Sequence, residues 1–226
     1  MESPVTTPHK RKSAIAILGG TFDPVHHGHL RLAIDLAEKL DLEQVRLMPS
    51  FQPVHRDEPT ATEKQRLTML QLAVEDIKEL SVDDRELQRK GPSYTLLSLQ
   101  EIRKEIGPDQ PLFFILGDDA FDQFDSWYQW QEIINYAHLL IAIRPGSHPQ
   151  VGEQQTSQQL EDFIQDNAYK GDGYPDTNCG SVIRMNNPIL DIASSEIRKR
   201  VGENKNIRYL LPAKVYEYIE QQKIYR

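Results

Sequence analysis

Six short apolar runs alternate along the chain with stretches in which apolar residues recur at helical spacing. The runs, at residues 14–18, 44–48, 80–83, 112–116, 139–143 and 182–184, predict strands. The helical patterns fall at 28–40, 62–78, 95–106, 129–135, 158–165, 194–201 and 212–222. In the first of these Leu30, Ala33, Ile34, Ala37 and Leu40 share a face, and in the second Leu67, Leu70, Val74 and Ile77 do. Regular strand–helix alternation implies parallel pairing through crossover helices. The pattern therefore predicts an α/β fold, a doubly wound (Rossmann-like) parallel sheet with a C-terminal helical part. Ligands of such sheets sit beyond the carboxyl ends of the strands.

The pattern weakens in three places. Residues 1–13 are polar and carry His9, Lys10, Arg11 and Lys12, which reads as a flexible tail ahead of one domain spanning 14–226. Residues 49–62 hold three prolines and the pair His55-Arg56, a loop signature. Residues 145–180, rich in Gln, Ser, Gly, Asp and Pro, read as a surface excursion with one short helix. Pro212 suits the first turn of the last helix, where Val215, Tyr216 and Ile219 are placed to close the core.

Composition narrows the class. Of 226 residues 38% are hydrophobic and 27% charged, an ordinary globular balance. The net charge of −8 comes with no basic stripe, which argues against a general nucleic-acid binder. No apolar run approaches the roughly 20 residues of a membrane span, and none of signal-peptide type follows the N-terminus. The lone Cys179 has no internal disulfide partner. The expectation is a cytoplasmic protein without nucleic-acid or membrane partners, with homo-oligomerisation left open.

The chemistry concentrates in Gly19-Gly20-Thr21-Phe22-Asp23-Pro24-Val25-His26-His27-Gly28-His29, between the first strand and the first helix. Glycines allow close backbone approach, Thr21 and Phe22 offer N–H groups, and a helix start favours an anion. His26 and His29 add imidazole donors that can stabilise charge developing on a phosphate. The spacing fits neither a Walker A loop nor GxGxxG. Zinc held by Asp23, His26 and His29 is the weaker reading, because the turn and helix start already account for an anion.

With these residues in view, the stretch resembles the HxGH signature of the nucleotidylyltransferase superfamily, here His26-His27-Gly28-His29. Further segments resemble the bacterial nicotinate-nucleotide adenylyltransferase family: Pro53-Val54-His55-Arg56, Gly91-Pro92-Ser93-Tyr94-Thr95, Ile115-Leu116-Gly117-Asp118-Asp119, Trp127-Tyr128, Arg144-Pro145-Gly146 and Ile192-Ala193-Ser194-Ser195-Glu196-Ile197-Arg198. They occur in the family's order across nearly the whole chain after residue 13.

The resemblance implies an enzyme that transfers the adenylyl group of ATP to nicotinate mononucleotide, giving deamido-NAD and diphosphate, with Mg²⁺ carried mainly by the ATP phosphates. It assigns ATP to Gly19, Gly20, Thr21, Phe22, His26, His29, Gly117, Asp119, Ile192, Ser194, Ser195 and Arg198. Of these His26, His29 and Arg198 are the catalytic set. The acceptor falls to His55, Tyr94, Thr95, Asp119, Trp127, Tyr128 and Arg144: Trp127 stacks on the pyridine ring, Thr95 and Tyr128 offer backbone N–H groups to its carboxylate, and His55 either closes over the mononucleotide or faces solvent. Trp130 reads as a core aromatic. The chain departs from the family's usual Ile-Ser-Ser-Thr at Ala193, where a hydroxyl is lost, while Ser195 keeps one. The alternatives are transfer to nicotinamide mononucleotide or another phosphomonoester such as phosphopantetheine, and a non-catalytic nucleotide sensor.

Overall fold

The computed structural model describes residues 13–53, 58–143, 157–171, 173, 175–187 and 190–226, leaving aside the side chains of residues 118 and 119. Six strands form one parallel sheet: β1 (Ala14–Gly20), β2 (Leu42–Pro49), β3 (Leu80–Val82), β4 (Leu112–Gly117), β5 (His138–Ile143) and β6 (Val182–Asn186). Their order is β3-β2-β1-β4-β5-β6, the doubly wound arrangement, with the order reversing between β1 and β4. The helices are α1 (His27–Leu40), α2 (Glu63–Val74), α3 (Arg85–Arg89), α4 (Thr95–Ile106), α5 (Asp118–Phe121), α6 (Trp130–Ile133), α7 (Gln158–Asn167), α8 (Ser194–Gly202) and α9 (Ala213–Gln222).

Both faces of the sheet are covered, which is why its strands are continuous apolar runs. Alternate residues divide between two cores. Ala14, Ala16 and Leu18 of β1 face Ala33 and Leu36 of α1, Leu70 of α2, Ile197 of α8 and Val215 and Ile219 of α9. Ile15 and Ile17 face the other way, into a core with Leu96, Leu99 and Ile102 of α4, Ile133 of α6 and Leu160 of α7. Trp130 belongs to this second core, as its sequence context suggests. Among the described residues no helix is long and apolar enough to cross a membrane.

The elements differ from the sequence pattern where local and tertiary demands conflict. α2 stops at Val74, not at residue 78, because the chain must return to let the Glu79 carbonyl accept from Val45 N–H and start β3. Its buried side is Arg66, Met69, Leu70, Ala73 and Val74, so the apolar stripe carries an arginine, and Leu67 is only half-buried. The helix expected over 129–135 keeps only one turn, α6. α3 and α5 are too short to show periodicity. Pro212 lies at the N-cap of α9, one position before the first turn.

Candidate active site

The site grows out of the C-terminal end of β1, beside the point where the strand order reverses. Gly19 and Gly20 continue the strand, pairing with Met48 and Pro49, and do not form a turn. Internal packing explains both glycines: a Cβ on Gly19 would lie 3.2 Å from the Phe114 ring, and one on Gly20 would lie 3.1 Å from the Phe22 ring. Phe22 takes a left-handed φ of 51° so that its buried ring folds back over Gly20.

Asp23 then organises everything around it. Its Oδ1 accepts from the Tyr225 hydroxyl at 2.7 Å and from Ala61 N–H at 3.1 Å, and its Oδ2 accepts from Thr60 N–H at 2.7 Å. Its backbone carbonyl accepts from Nη1 of Arg198 at 2.7 Å. Nearby, Arg66 donates Nη1 to the Thr21 carbonyl at 2.8 Å, and Ser194 donates its hydroxyl to the Pro24 carbonyl at 2.9 Å. Arg66 is 1% exposed; burial lowers its pKa, opposed by the charge of Asp23. The carboxylate of Asp23 is thus spent on holding the loop, which weakens its reading as a zinc ligand. Among the described residues no group of three His, Cys, Asp or Glu side chains could hold a metal ion.

The loop delivers its histidines to the start of α1. His26 is the N-cap, and its own N–H donates to Nδ1 of His29 at 3.3 Å. The two imidazoles stack with centroids 3.7 Å apart, and Phe22 meets the His29 ring edge-on. Gly28 packs against the pair, where a Cβ would lie 3.0 Å from the His26 ring. His26 is buried, and desolvation, followed by repulsion from His27, lowers its pKa from 6.5 to about 4. It is therefore a neutral imidazole at pH 7, and its Nδ1 has no protein partner.

Arg198 and Ser194 bring the N-terminus of α8 against the same loop. Ala193 is the N-cap of α8 and supplies no side-chain cap, the structural trace of the missing hydroxyl. Ser195 is exposed on the first turn, and Ile192 packs at the edge of the core. Two helix starts thus meet one loop, a geometry suited to a polyanion.

A second group of candidates gathers across the sheet end. Ser50 N–H donates to the Gly20 carbonyl at 2.9 Å, and Phe51 N–H donates to the Ser93 hydroxyl at 2.9 Å. Tyr94, the N-cap of α4, stacks on Tyr128 at 4.5 Å, and Thr95 opens that helix. Trp127 meets Phe114 edge-on at 6.2 Å, and Phe114 in turn packs on Gly19. Gly117 ends β4, and a Cβ there would meet nothing within 4 Å. Asp119 lies in α5 just beyond it. His55 and Arg144 lie outside the described residues.

The structure thus brings His26, His29, Ser194 and Arg198 to one loop, and Tyr94, Thr95, Trp127 and Tyr128 to the neighbouring strand ends. Sequence reasoning missed Arg66, Thr60, Ala61 and Tyr225. An arginine on the apolar face of α2 is a readable signal for the first; nothing local marks the others.

The sequence profile of the cytidylyltransferase-like family matches residues 17–200. A probable nicotinate-nucleotide adenylyltransferase of Marinomonas sp. (strain MWYL1) is 41% identical over 217 residues, covering 95% of this chain and 95% of that one. Another, from Cellvibrio japonicus (strain Ueda107), is 42% identical over 220 residues, covering 95% of this chain and all of its own. Among solved structures, Plasmodium falciparum nicotinic acid mononucleotide adenylyltransferase complexed with NaAD superposes with a TM-score of 0.67 over 94% of this chain and 97% of that one; at 18% identity this likeness speaks for the fold.

Proposed function

The chain belongs to the cytidylyltransferase-like family and, within it, to the nicotinate-nucleotide adenylyltransferases, and from that premise we propose how its residues carry out the reaction. ATP and nicotinate mononucleotide give deamido-NAD and diphosphate, a step of NAD biosynthesis. The 5′-phosphate oxygen of the mononucleotide attacks the α-phosphorus of ATP, and the bond to the bridging oxygen of the diphosphate breaks. A phosphate monoester is largely ionised near neutral pH, so no strong general base is needed. Catalysis is positioning plus neutralisation of charge.

His26 and His29 donate to the α-phosphate as its charge builds. Because His26 is neutral beforehand, a proton or hydrogen bond gained there is felt most when the phosphate carries most charge. Arg198 and the start of α8 hold the departing diphosphate. Magnesium would arrive with ATP, held mainly by the ATP phosphates and not by a protein cage, and would supply neutralisation of their charge. Trp127 stacks on the pyridine ring, and the start of α4 at Thr95, with Tyr128, faces the pyridine carboxylate. Gly117 leaves space for the nucleotide at the end of β4.

The observation that carries this reading is the meeting of α1, with its stacked histidines, and α8, through Ser194 and Arg198, on the loop of Asp23. The test is diphosphate release from Mg-ATP with nicotinate mononucleotide, nicotinamide mononucleotide or phosphopantetheine. Strong preference for the first is expected. Equal use of both pyridine nucleotides overturns the carboxylate assignment, and no release with any acceptor points to a nucleotide sensor.

A further inference from the structure

We propose that Tyr225 is a positioning residue for adenylyl transfer: through its hydrogen bond to Asp23 it keeps Arg198 directed at the ATP phosphates. The proposal rests on the adenylyl-transfer reading of the site.

Tyr225 lies 202 positions from Asp23 in sequence, yet its hydroxyl donates to Oδ1 at 2.7 Å. The segment is pinned by Ile224, which is buried in the core under α9. Tyr225 takes a left-handed φ of 68°, and Phe22, beside Asp23, takes one of 51°. Two non-glycine residues at or beside the ends of one hydrogen bond thus hold a backbone conformation that L-residues disfavour. Such a conformation persists only where the surroundings over-determine it.

Charge explains what the bond does. Nη1 of Arg198 lies 3.9 Å from Oδ2 of Asp23 but 2.7 Å from its backbone carbonyl. A bare carboxylate at that distance would draw the guanidinium into a bidentate pair. Here three neutral donors, from Tyr225, Thr60 and Ala61, occupy the carboxylate instead. Arg198 stays on the carbonyl, where one of its five N–H groups is used and the rest can serve a phosphate. Removing the hydroxyl leaves Oδ1 with Ala61 alone, and two cations stand near: Arg66 is buried and held on the Thr21 carbonyl, whereas the Arg198 side chain is a third exposed and can compensate by swinging off its phosphate-facing position.

The variant is Tyr225→Phe in the full chain, with Ile224→Val as the control that loosens the same segment and spares the hydroxyl. For Tyr225→Phe we expect Mg-ATP affinity, measured by calorimetry without acceptor, to fall about tenfold, the scale of one hydrogen bond to a charged group. We expect kcat/KM for ATP to follow, while KM for nicotinate mononucleotide stays within about twofold and Ile224→Val remains close to wild type in both measurements. Unchanged ATP affinity in Tyr225→Phe overturns the proposal, as does the same loss in Ile224→Val or a loss confined to the acceptor. Because calorimetry reads ATP alone, failure of the acceptor assay in the wild-type chain would count against the functional reading, and the ATP affinities of the two variants would still decide this one.

Discussion

A Cβ on Gly28 would sit 3.0 Å from the His26 ring, so the stacked histidine pair packs tightly against a position that carries no side chain. The ring has little room to yield: His29 covers it, and the Leu190 carbonyl lies 3.3 Å from the same Cβ position. In Gly28→Ala we expect kcat to fall about tenfold, because the His26 ring must give by a fraction of an ångström. Helical alanine is otherwise favourable and offsets part of the crowding, so the melting temperature should fall only modestly. Steady-state kinetics beside thermal melts check this, and near-normal kcat would show that the stack is dispensable.

Burial of His26 ties stability to pH. Its pKa is about 4 in the folded chain against about 6.5 unfolded, so between those values the unfolded chain binds a proton that the folded chain refuses. Stability therefore falls as pH drops through that window, by on the order of 3 kcal/mol at most, and this contribution is complete below about pH 4. His138 shifts in the same direction through its own burial, so the comparison is with His26→Gln, which keeps His138. Urea unfolding between pH 7 and 4.5 should show a shallower decline in His26→Gln; parallel curves would contradict the neutral, buried state.

Gly117 contrasts with the glycines at the end of β1 and the start of α1. Gly19, Gly20 and Gly28 are fixed by rings of the protein itself, whereas a Cβ on Gly117 meets nothing within 4 Å. Gly117→Ala should leave stability within about 0.5 kcal/mol of wild type while KM for ATP rises about tenfold, because under the proposed function the added methyl enters the space of the nucleotide. Thermal melts and initial-rate kinetics decide it; an unchanged KM would place the nucleotide elsewhere.

The strands were legible because each central one is buried on both faces, so Ala14 to Leu18 or Leu139 to Ile143 read as unbroken apolar runs. α3 was not, since five residues hold too little periodicity and its position depends on tertiary contacts such as Arg85 with Glu105. In the site, the histidines and the Ser194–Arg198 segment were legible because each lies at a helix start within a compact motif. The loss of a hydroxyl at Ala193 was legible too, and it appears as a helix start without a side-chain cap. The partners of the Asp23 carboxylate were not, because they come from sequence positions 37, 38 and 202 residues away and have no motif of their own.

Those long separations bear on when the site comes into being. Local helices can form early, but contacts between distant parts of a chain must first overcome the entropy of closing long loops. A folding chain with its sheet complete and α9 still undocked would carry every histidine and glycine of the motif, yet Asp23 would lack its Tyr225 anchor. Competence to handle ATP would then lag behind burial of the core, and pulse-labelling hydrogen exchange should find the amides of Thr60 and Ala61 protected later than those of β1.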